Sequence, residues 1–147
     1  MNTIEIRECL FKIHWSLQNN VYAANRLPFR TEAPTFLISN LDSDTQPGSH
    51  WVAIHIDNNK VGQYFDSFGR PPAAFHRTFL NRNCRLWDFN VKRIQDDWTS
   101  VCGEYCLVYL YFKFQGRSML DFTKLFNIND TVMNDILLYN LFKQYFE

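Results

Sequence analysis

Two short apolar segments separated by an asparagine pair constrain the fold of this chain more than any other feature. Trp51–Ile56 and Val61–Phe65 have the length and composition of strands, and Asn58-Asn59 between them favours a turn. Because so short a connection joins only antiparallel strands, the two segments are predicted to form a hairpin. The end of the second strand then lies beside the start of the first, which brings Asp66 close to His50.

The remaining elements are predicted from the spacing of apolar residues and from helix caps. Thr35–Ser39 and Leu86–Ile94 are expected to be strands. The order of a helix, three strands, a helix, a strand and then helices predicts an α+β fold in a single domain over residues 1–147. The helices are expected at residues 3–17, 71–80, 102–114, 118–126 and 131–146.

Composition argues against several classes of function. The formal net charge is zero and 20% of the residues are charged, so neither a nucleic-acid nor a membrane partner is expected. The four cysteines, at positions 9, 84, 102 and 106, form no CxxC pair, which argues against a metal site. No secretory leader is evident, so a reducing cytoplasm or nucleus is expected. The protein is also expected to be a monomer.

Cys102 stands at the predicted start of an apolar helix, directly before Gly103. A thiol in that position faces the positive end of the helix, which lowers its pKa and favours the nucleophilic thiolate. Gly103 lets the backbone turn tightly and lets a substrate approach closely. The alternative is a buried structural cysteine, which is how we interpret Cys106, one helical turn later.

Three upstream residues complete the requirements of thiol chemistry. His50 can act as a base, and Asp66 can hold its ring in one tautomer. Gln95, seven residues before Cys102, can donate a side-chain hydrogen bond to an oxyanion. Each also has a plain structural interpretation, respectively a strand-end histidine, a turn aspartate and a loop glutamine.

The other histidines are interpreted as structural. His55 lies five residues after His50 on the same strand and therefore on the opposite face, so the two cannot serve one site. His14 and His76 belong to predicted helices. Trp98 either lines a cleft or covers the core.

These residues together match a known pattern. They resemble the adenovirus-type, or adenain-like, cysteine proteases, whose architecture the SUMO-specific proteases share. The match covers residues 35–115 and, more loosely, residues 21–28, which look like a segment of the proteases of Polinton/Maverick-type elements. The resemblance implies a papain-like architecture with a central mixed sheet flanked by helices. The motifs that carry it are His50-Trp51, Phe65–Gly69, Gln95 and Cys102-Gly103.

The resemblance also implies a role for each residue. Cys102 is then the nucleophile and His50 the general base and acid. Asp66 takes the position of the orienting carboxylate, where adenain has a glutamate. Gln95 supplies the oxyanion donor, and Trp51 flanks the base.

Substrate binding and activation are implied in the same way. Trp51 and Trp98 would wall a narrow tunnel for the small residues, often glycine, that the family prefers before the cut. In adenain a cysteine eighteen residues before the nucleophile binds an activating capsid peptide through a disulfide, and Cys84 stands eighteen residues before Cys102. The alternative for Cys84 is a coincidence of spacing. DNA activation is not expected because the basic residues are scattered, as are Arg82, Arg85, Lys92 and Arg93.

Three functions are compatible with these residues. The first is an endopeptidase that processes viral or mobile-element capsid precursors at small or glycine-containing sites, in the host cytoplasm or nucleus or packaged in a virion. The second is an enzyme that removes ubiquitin-like or SUMO-like modifiers, which the aspartate at position 66 favours. The third is a binding module that has kept the fold without the chemistry.

Overall fold

A five-stranded mixed sheet forms the centre of the protein, in a computed structural model that describes all residues, 1–147. The strands lie in the sheet in their chain order. β1 pairs parallel with β2. β3 pairs antiparallel with both of its neighbours, β2 and β4, and β4 pairs parallel with β5. The strands are β1 (Val21–Tyr22), β2 (Thr35–Asn40), β3 (Trp51–Ile56), β4 (Val61–Phe65) and β5 (Leu86–Phe89).

Five α-helices cover the two faces of the sheet. One face of the central strands packs with α1, α3, α4 and α5 in the larger core, and the other face packs with α2 in a smaller one. The mixed sheet with flanking helices confirms the predicted α+β architecture. No helix is both long enough and apolar enough to span a membrane. The helices are α1 (Thr3–Ile13), α2 (Ala74–Asn83), α3 (Cys102–Phe114), α4 (Met119–Thr123) and α5 (Thr131–Phe146).

The predicted hairpin is present and has the register that the site requires. Ala53 pairs with Phe65, so the end of β4 lies beside the start of β3. The turn is held by the Asp57 carboxylate, which accepts hydrogen bonds from the backbone N–H groups of Asn59 and Val61. The turn between β3 and β4 therefore stabilises the arrangement that brings Asp66 towards His50.

Two boundaries near the start of the chain differ from the prediction. α1 ends at Ile13 and not at residue 17, because the His14 ring accepts the backbone N–H of Ser16 and caps a separate 3₁₀ turn. Val21–Tyr22, predicted as loop, forms the edge strand β1 against β2. A two-residue strand has too little periodicity to be recognised from sequence.

Further boundaries differ in the second half. α2 begins at Ala74 and not at Pro71, and α4 is shorter than predicted although its Ser118 capping box is present. β5 ends at Phe89 and not at Ile94. The reason is that the Asn90 side chain accepts the backbone N–H of Asp66 at 2.9 Å and donates to its carbonyl at 2.6 Å, which takes the chain out of the strand ladder.

Candidate active site

Three elements meet at a cleft of about 560 Å³. His50 lies directly before β3, Trp51 is the first residue of β3, and Cys102 is at the N-terminus of α3. The loop between β5 and α3 contributes Gln95. Asp66 lies behind His50, at the end of β4, and is 1% exposed.

His50 and Asp66 form a short, buried hydrogen bond. The distance from His50 Nε2 to Asp66 Oδ1 is 2.6 Å. The same carboxylate oxygen accepts the backbone N–H of Phe68 at 2.9 Å, and Arg70 Nε lies 3.5 Å from the other oxygen. These donors compensate the cost of burying a carboxylate and hold it in one orientation.

The His50 ring is also held by an aromatic neighbour. The Phe68 ring stacks on it with centroids 4.7 Å apart and planes 10° from parallel. The guanidinium groups of Arg70 and Arg93 lie 5.0 and 4.5 Å from the Phe68 centroid. The imidazole therefore has little freedom to rotate away from the carboxylate.

Cys102 is the first residue of α3, and its sulfur accepts the backbone N–H of Trp51 at 3.5 Å. Burial would raise the pKa of this thiol, but hydrogen bonds from His50 and from the backbone N–H groups of Trp51 and Gly103 outweigh burial and lower it. Burial would likewise lower the pKa of His50, but its hydrogen bonds to Asp66 and Cys102 raise it to about 9.

This electrostatic arrangement can support an ion pair. Because Nε2 of His50 is bonded to Asp66, Nδ1 is the ring nitrogen left to interact with the Cys102 thiol. A lowered thiol pKa and a raised imidazole pKa both favour the thiolate–imidazolium pair over the neutral pair. Such a pair has a nucleophile and a proton donor side by side.

We expect a characteristic pH dependence of this pair. Iodoacetamide should alkylate Cys102 at pH values well below 8.5, where an ordinary thiol is protonated. Turnover should fall as the pH rises through about 9, where His50 loses its proton. Mass spectrometry of each cysteine against pH measures the first effect, and burial raises the pKa of Cys84 to about 11, so that thiol is an internal control. An alkylation midpoint of Cys102 at or above 8.5 would contradict the ion pair.

Gln95 lies in the cleft wall but its carboxamide is largely engaged. The residue is 1% exposed, and its Oε1 accepts the hydroxyl of Ser67. Its Nε2 donates to the Thr99 carbonyl at 3.0 Å. Nε2 also donates to the Thr99 hydroxyl at 3.3 Å, a longer hydrogen bond. Both N–H groups of the carboxamide are therefore engaged by Thr99, and a ligand in the cleft could receive a hydrogen bond from Gln95 only by replacing the longer one.

Two residues predicted to bind substrate lie outside the cleft. Trp98 is 93% exposed, so it neither lines the cavity nor covers the core. Its backbone N–H bonds to the Asp96 carboxylate in a tight turn that leaves the indole in solvent. Gly103 is packed beneath Met1, and a Cβ at this position would lie 3.3 Å from the Met1 side chain. The glycine therefore serves close packing of the N-terminal segment in this structure.

The remaining predicted residues lie away from the cleft. His55 Nδ1 bonds to the Thr35 carbonyl, and burial lowers its pKa to about 4. His76 bonds to the buried Ser39 hydroxyl. Cys106 is fully buried in the larger core, and Cys84 is half-buried against the smaller core.

Sequence reasoning missed several contributors to the site. The backbone N–H of Trp51 bonds to the sulfur, and no side-chain pattern reports a backbone donor. Asn90 anchors the backbone of Asp66 from 24 residues away. Phe68 belongs to the motif after β4, but its contact with His50 depends on the tertiary fold.

No protein-family model matches the chain. Over 91 residues the chain is 31% identical to "Putative thiol protease R355" of Acanthamoeba polyphaga mimivirus, an alignment that covers 54% of this chain and 30% of that protein. The chain thus spans less than a third of the curated relative that it matches.

Two solved structures share the fold. The ASFV pS273R protease superimposes with a TM-score of 0.52 and 23% identity, covering 76% of this chain and 43% of that one. The SUMO protease Ulp1, with its catalytic cysteine oxidised to a sulfinic acid, superimposes with a TM-score of 0.51 and 15% identity, covering 98% of this chain and 78% of that one. These similarities confirm the architecture implied by the motif resemblance.

Proposed function

We propose that this chain is a thiol protease domain whose nucleophile is Cys102. The observation that carries the proposal is the buried His50–Asp66 hydrogen bond beside a thiol at the start of a helix. Burying an imidazole with a carboxylate costs free energy because both groups lose hydration. Strongly shifted pKa values in a cleft are typical of functional sites. The similarity to the mimivirus relative, which is named a thiol protease, supports the same activity.

The proposed reaction begins with attack of the Cys102 thiolate on a peptide carbonyl carbon. His50 then donates its proton to the departing amine, and a thioester to Cys102 remains. The imidazole, now neutral, takes a proton from water, which attacks the thioester and restores the thiolate. Asp66 keeps the imidazole in the required tautomer and stabilises its charged form.

Two N–H groups are proposed to stabilise the oxyanion of this reaction. One is the backbone N–H of Cys102, at the positive end of α3. The other belongs to the Gln95 carboxamide nitrogen, whose longer hydrogen bond, 3.3 Å to the Thr99 hydroxyl, is the one that the oxyanion would replace. A preorganised donor of this kind contributes roughly a hundredfold or more to turnover.

The proposed substrates are capsid precursors of a virus or mobile element, cut after small residues or glycine. Trp51 and Phe68 both line the cleft with Cys102, and we propose that their rings narrow it at the thiol so that small residues fit there best. The four cysteines are free thiols, in keeping with a reducing host compartment. The viral origin of the relative supports this choice.

Removal of a SUMO-like modifier is the second candidate. The Ulp1 similarity extends over 98% of this chain, and the acidic partner of His50 is an aspartate. The same residues would perform the same chemistry, so the two candidates differ only in the substrate.

Covalent probes distinguish the candidates. Wild type, Cys102→Ala and the control Cys84→Ala would be treated with a peptide vinyl sulfone ending in Gly-Gly and with ubiquitin and SUMO vinyl sulfones. We expect the peptide probe to label wild type and Cys84→Ala at Cys102, and to leave Cys102→Ala unlabelled.

Labelling by the SUMO or ubiquitin probe would replace the first candidate by the second. If no probe labels the folded wild type, the chain alone is not an active thiol protease. Activation through Cys84 would instead be supported if labelling of wild type needed an added cysteine-containing peptide and Cys84→Ala did not respond to that peptide.

A further inference from the structure

A buried carboxylate on α5 anchors the loop that leads into the cleft. Asp135 is 8% exposed, and its Oδ1 accepts the Tyr105 hydroxyl at 2.8 Å. Its Oδ2 accepts the Thr99 hydroxyl at 2.8 Å and the backbone N–H of Asp96 at 3.3 Å. Three donors therefore converge on one buried charge, two of them from the loop between β5 and α3.

The start of α5 holds the same loop at two further points. The Asn134 amide donates to the Ile94 carbonyl at 3.0 Å, and the Thr131 hydroxyl donates to the Asp96 carboxylate at 2.9 Å. The middle of the loop, Asp97-Trp98, is exposed and buries no apolar surface. Ile94 at the start of the loop packs in the larger core, but the conformation of the segment from Asp96 to Thr99 depends on polar contacts.

Thr99 connects this anchor to Gln95. Its hydroxyl bonds to Asp135, and its carbonyl accepts Nε2 of Gln95 at 3.0 Å. The opposite end of the carboxamide is held by the hydroxyl of Ser67. Nε2 of Gln95 also donates to the Thr99 hydroxyl at 3.3 Å. The orientation of the Gln95 carboxamide is thus set by Thr99 at its nitrogen and by Ser67 at its oxygen.

We propose that Asp135 is a positioning residue that aims the Gln95 carboxamide at the oxyanion through Thr99. The inference rests on the proposed thiol protease function. An oxyanion donor must be held close to its productive geometry before reaction, and a small displacement costs a large part of its effect. Asp135 acts at a distance from the reacting atoms and does not contact them.

Steady-state kinetics on a peptide ending in Gly-Gly-aminomethylcoumarin test this inference. Asp135→Asn and Thr99→Val should each lower kcat about tenfold with little change in KM, because part of the Gln95 contribution is lost. Thr99→Ser keeps the hydroxyl and should retain most of the wild-type kcat. Asp130→Asn is the matched control, since it removes a charge from the N-cap of the same helix and asparagine caps equally well.

Two further measurements separate positioning from a general loss of structure. Iodoacetamide alkylation passes through no oxyanion, so its rate at Cys102 should be unchanged in Asp135→Asn and Thr99→Val. In a Gln95→Ala background neither substitution should lower kcat further, because the donor that they position is already absent.

The outcomes distinguish the inference from the function on which it rests. If Thr99→Val has the wild-type kcat, the positioning role is overturned but the proposed function is not. The same holds if Asp135→Asn or Thr99→Val lowers kcat a further tenfold in the Gln95→Ala background. A wild type without Cys102-dependent turnover would overturn the proposed function and the inference with it. If Asp135→Asn does not fold, Thr99→Val and Thr99→Ser decide the matter.

Discussion

Cys102→Ala is expected to abolish turnover while the protein stays folded. The thiolate is the only group in the proposed reaction that bonds to the substrate carbon, and loss of a nucleophile costs on the order of 10⁴-fold or more. The side chain is small and lies at the cleft, so its removal should destabilise the fold by about 1 kcal/mol. Hydrolysis of the fluorogenic peptide and a thermal melt measure the two effects.

Cys106→Ala is the matched control for this experiment. It makes the same chemical change one turn later in α3, where the side chain is 0% exposed in the core. A cavity there lowers the free energy of unfolding without touching the reaction. We therefore expect a lower Tm with kcat retained. Residual turnover in Cys102→Ala above the uncatalysed rate would remove Cys102 as the nucleophile.

His50→Ala is expected to have an effect of similar size. The substitution removes the proton donor to the leaving amine and also the hydrogen bond that lowers the pKa of Cys102. The pH at which alkylation of Cys102 is half-maximal should then rise towards the ordinary thiol pKa of about 8.5. Peptide hydrolysis at neutral pH and alkylation against pH are the two readouts.

His55→Ala provides the comparison for the histidine. His55 is bonded to the Thr35 carbonyl and packs against Phe36, so its loss should lower Tm and leave kcat largely intact below the melting range. The reverse result, with His55→Ala inactive and His50→Ala active, would show that the proposed base is the wrong histidine. If both variants lose kcat to a similar extent while equally folded, the assignment of a catalytic role to His50 and a structural role to His55 would be contradicted.

The sequence predicted correctly those elements that are held by contacts between residues close in the chain, and was less accurate where distant residues make the contact. The β3–β4 hairpin was predicted correctly because its strands are adjacent in the chain and its turn is stabilised within a few residues. The N-terminus of α4 was predicted because Ser118 and Asp121 form a local capping box. The predicted end of β5 was wrong because the strand ends at a contact between Asn90 and Asp66, which is distant in the chain.

The candidate site divides in the same way. Its thiol at a helix start and its His50–Asp66 pair could be inferred from sequence, because one is local and the other follows from the hairpin register. The exposure of Trp98 could not be inferred from sequence, because a tryptophan in a loop packs inward or outward according to the loop conformation. That conformation is held by α5, more than 30 residues further along the chain.

The residue types of the site and their local order follow from the sequence: a cysteine at the start of an apolar helix, a histidine before a strand and an aspartate at the end of its hairpin partner. The support of these groups depends on contacts that form only in the folded chain. The tertiary structure stacks Phe68 on His50, directs the backbone N–H of Trp51 to Cys102 and ties the Gln95 loop to Asp135. Such support cannot be inferred from sequence, because pKa values and side-chain orientations depend on burial and on partners that folding brings within a few ångströms.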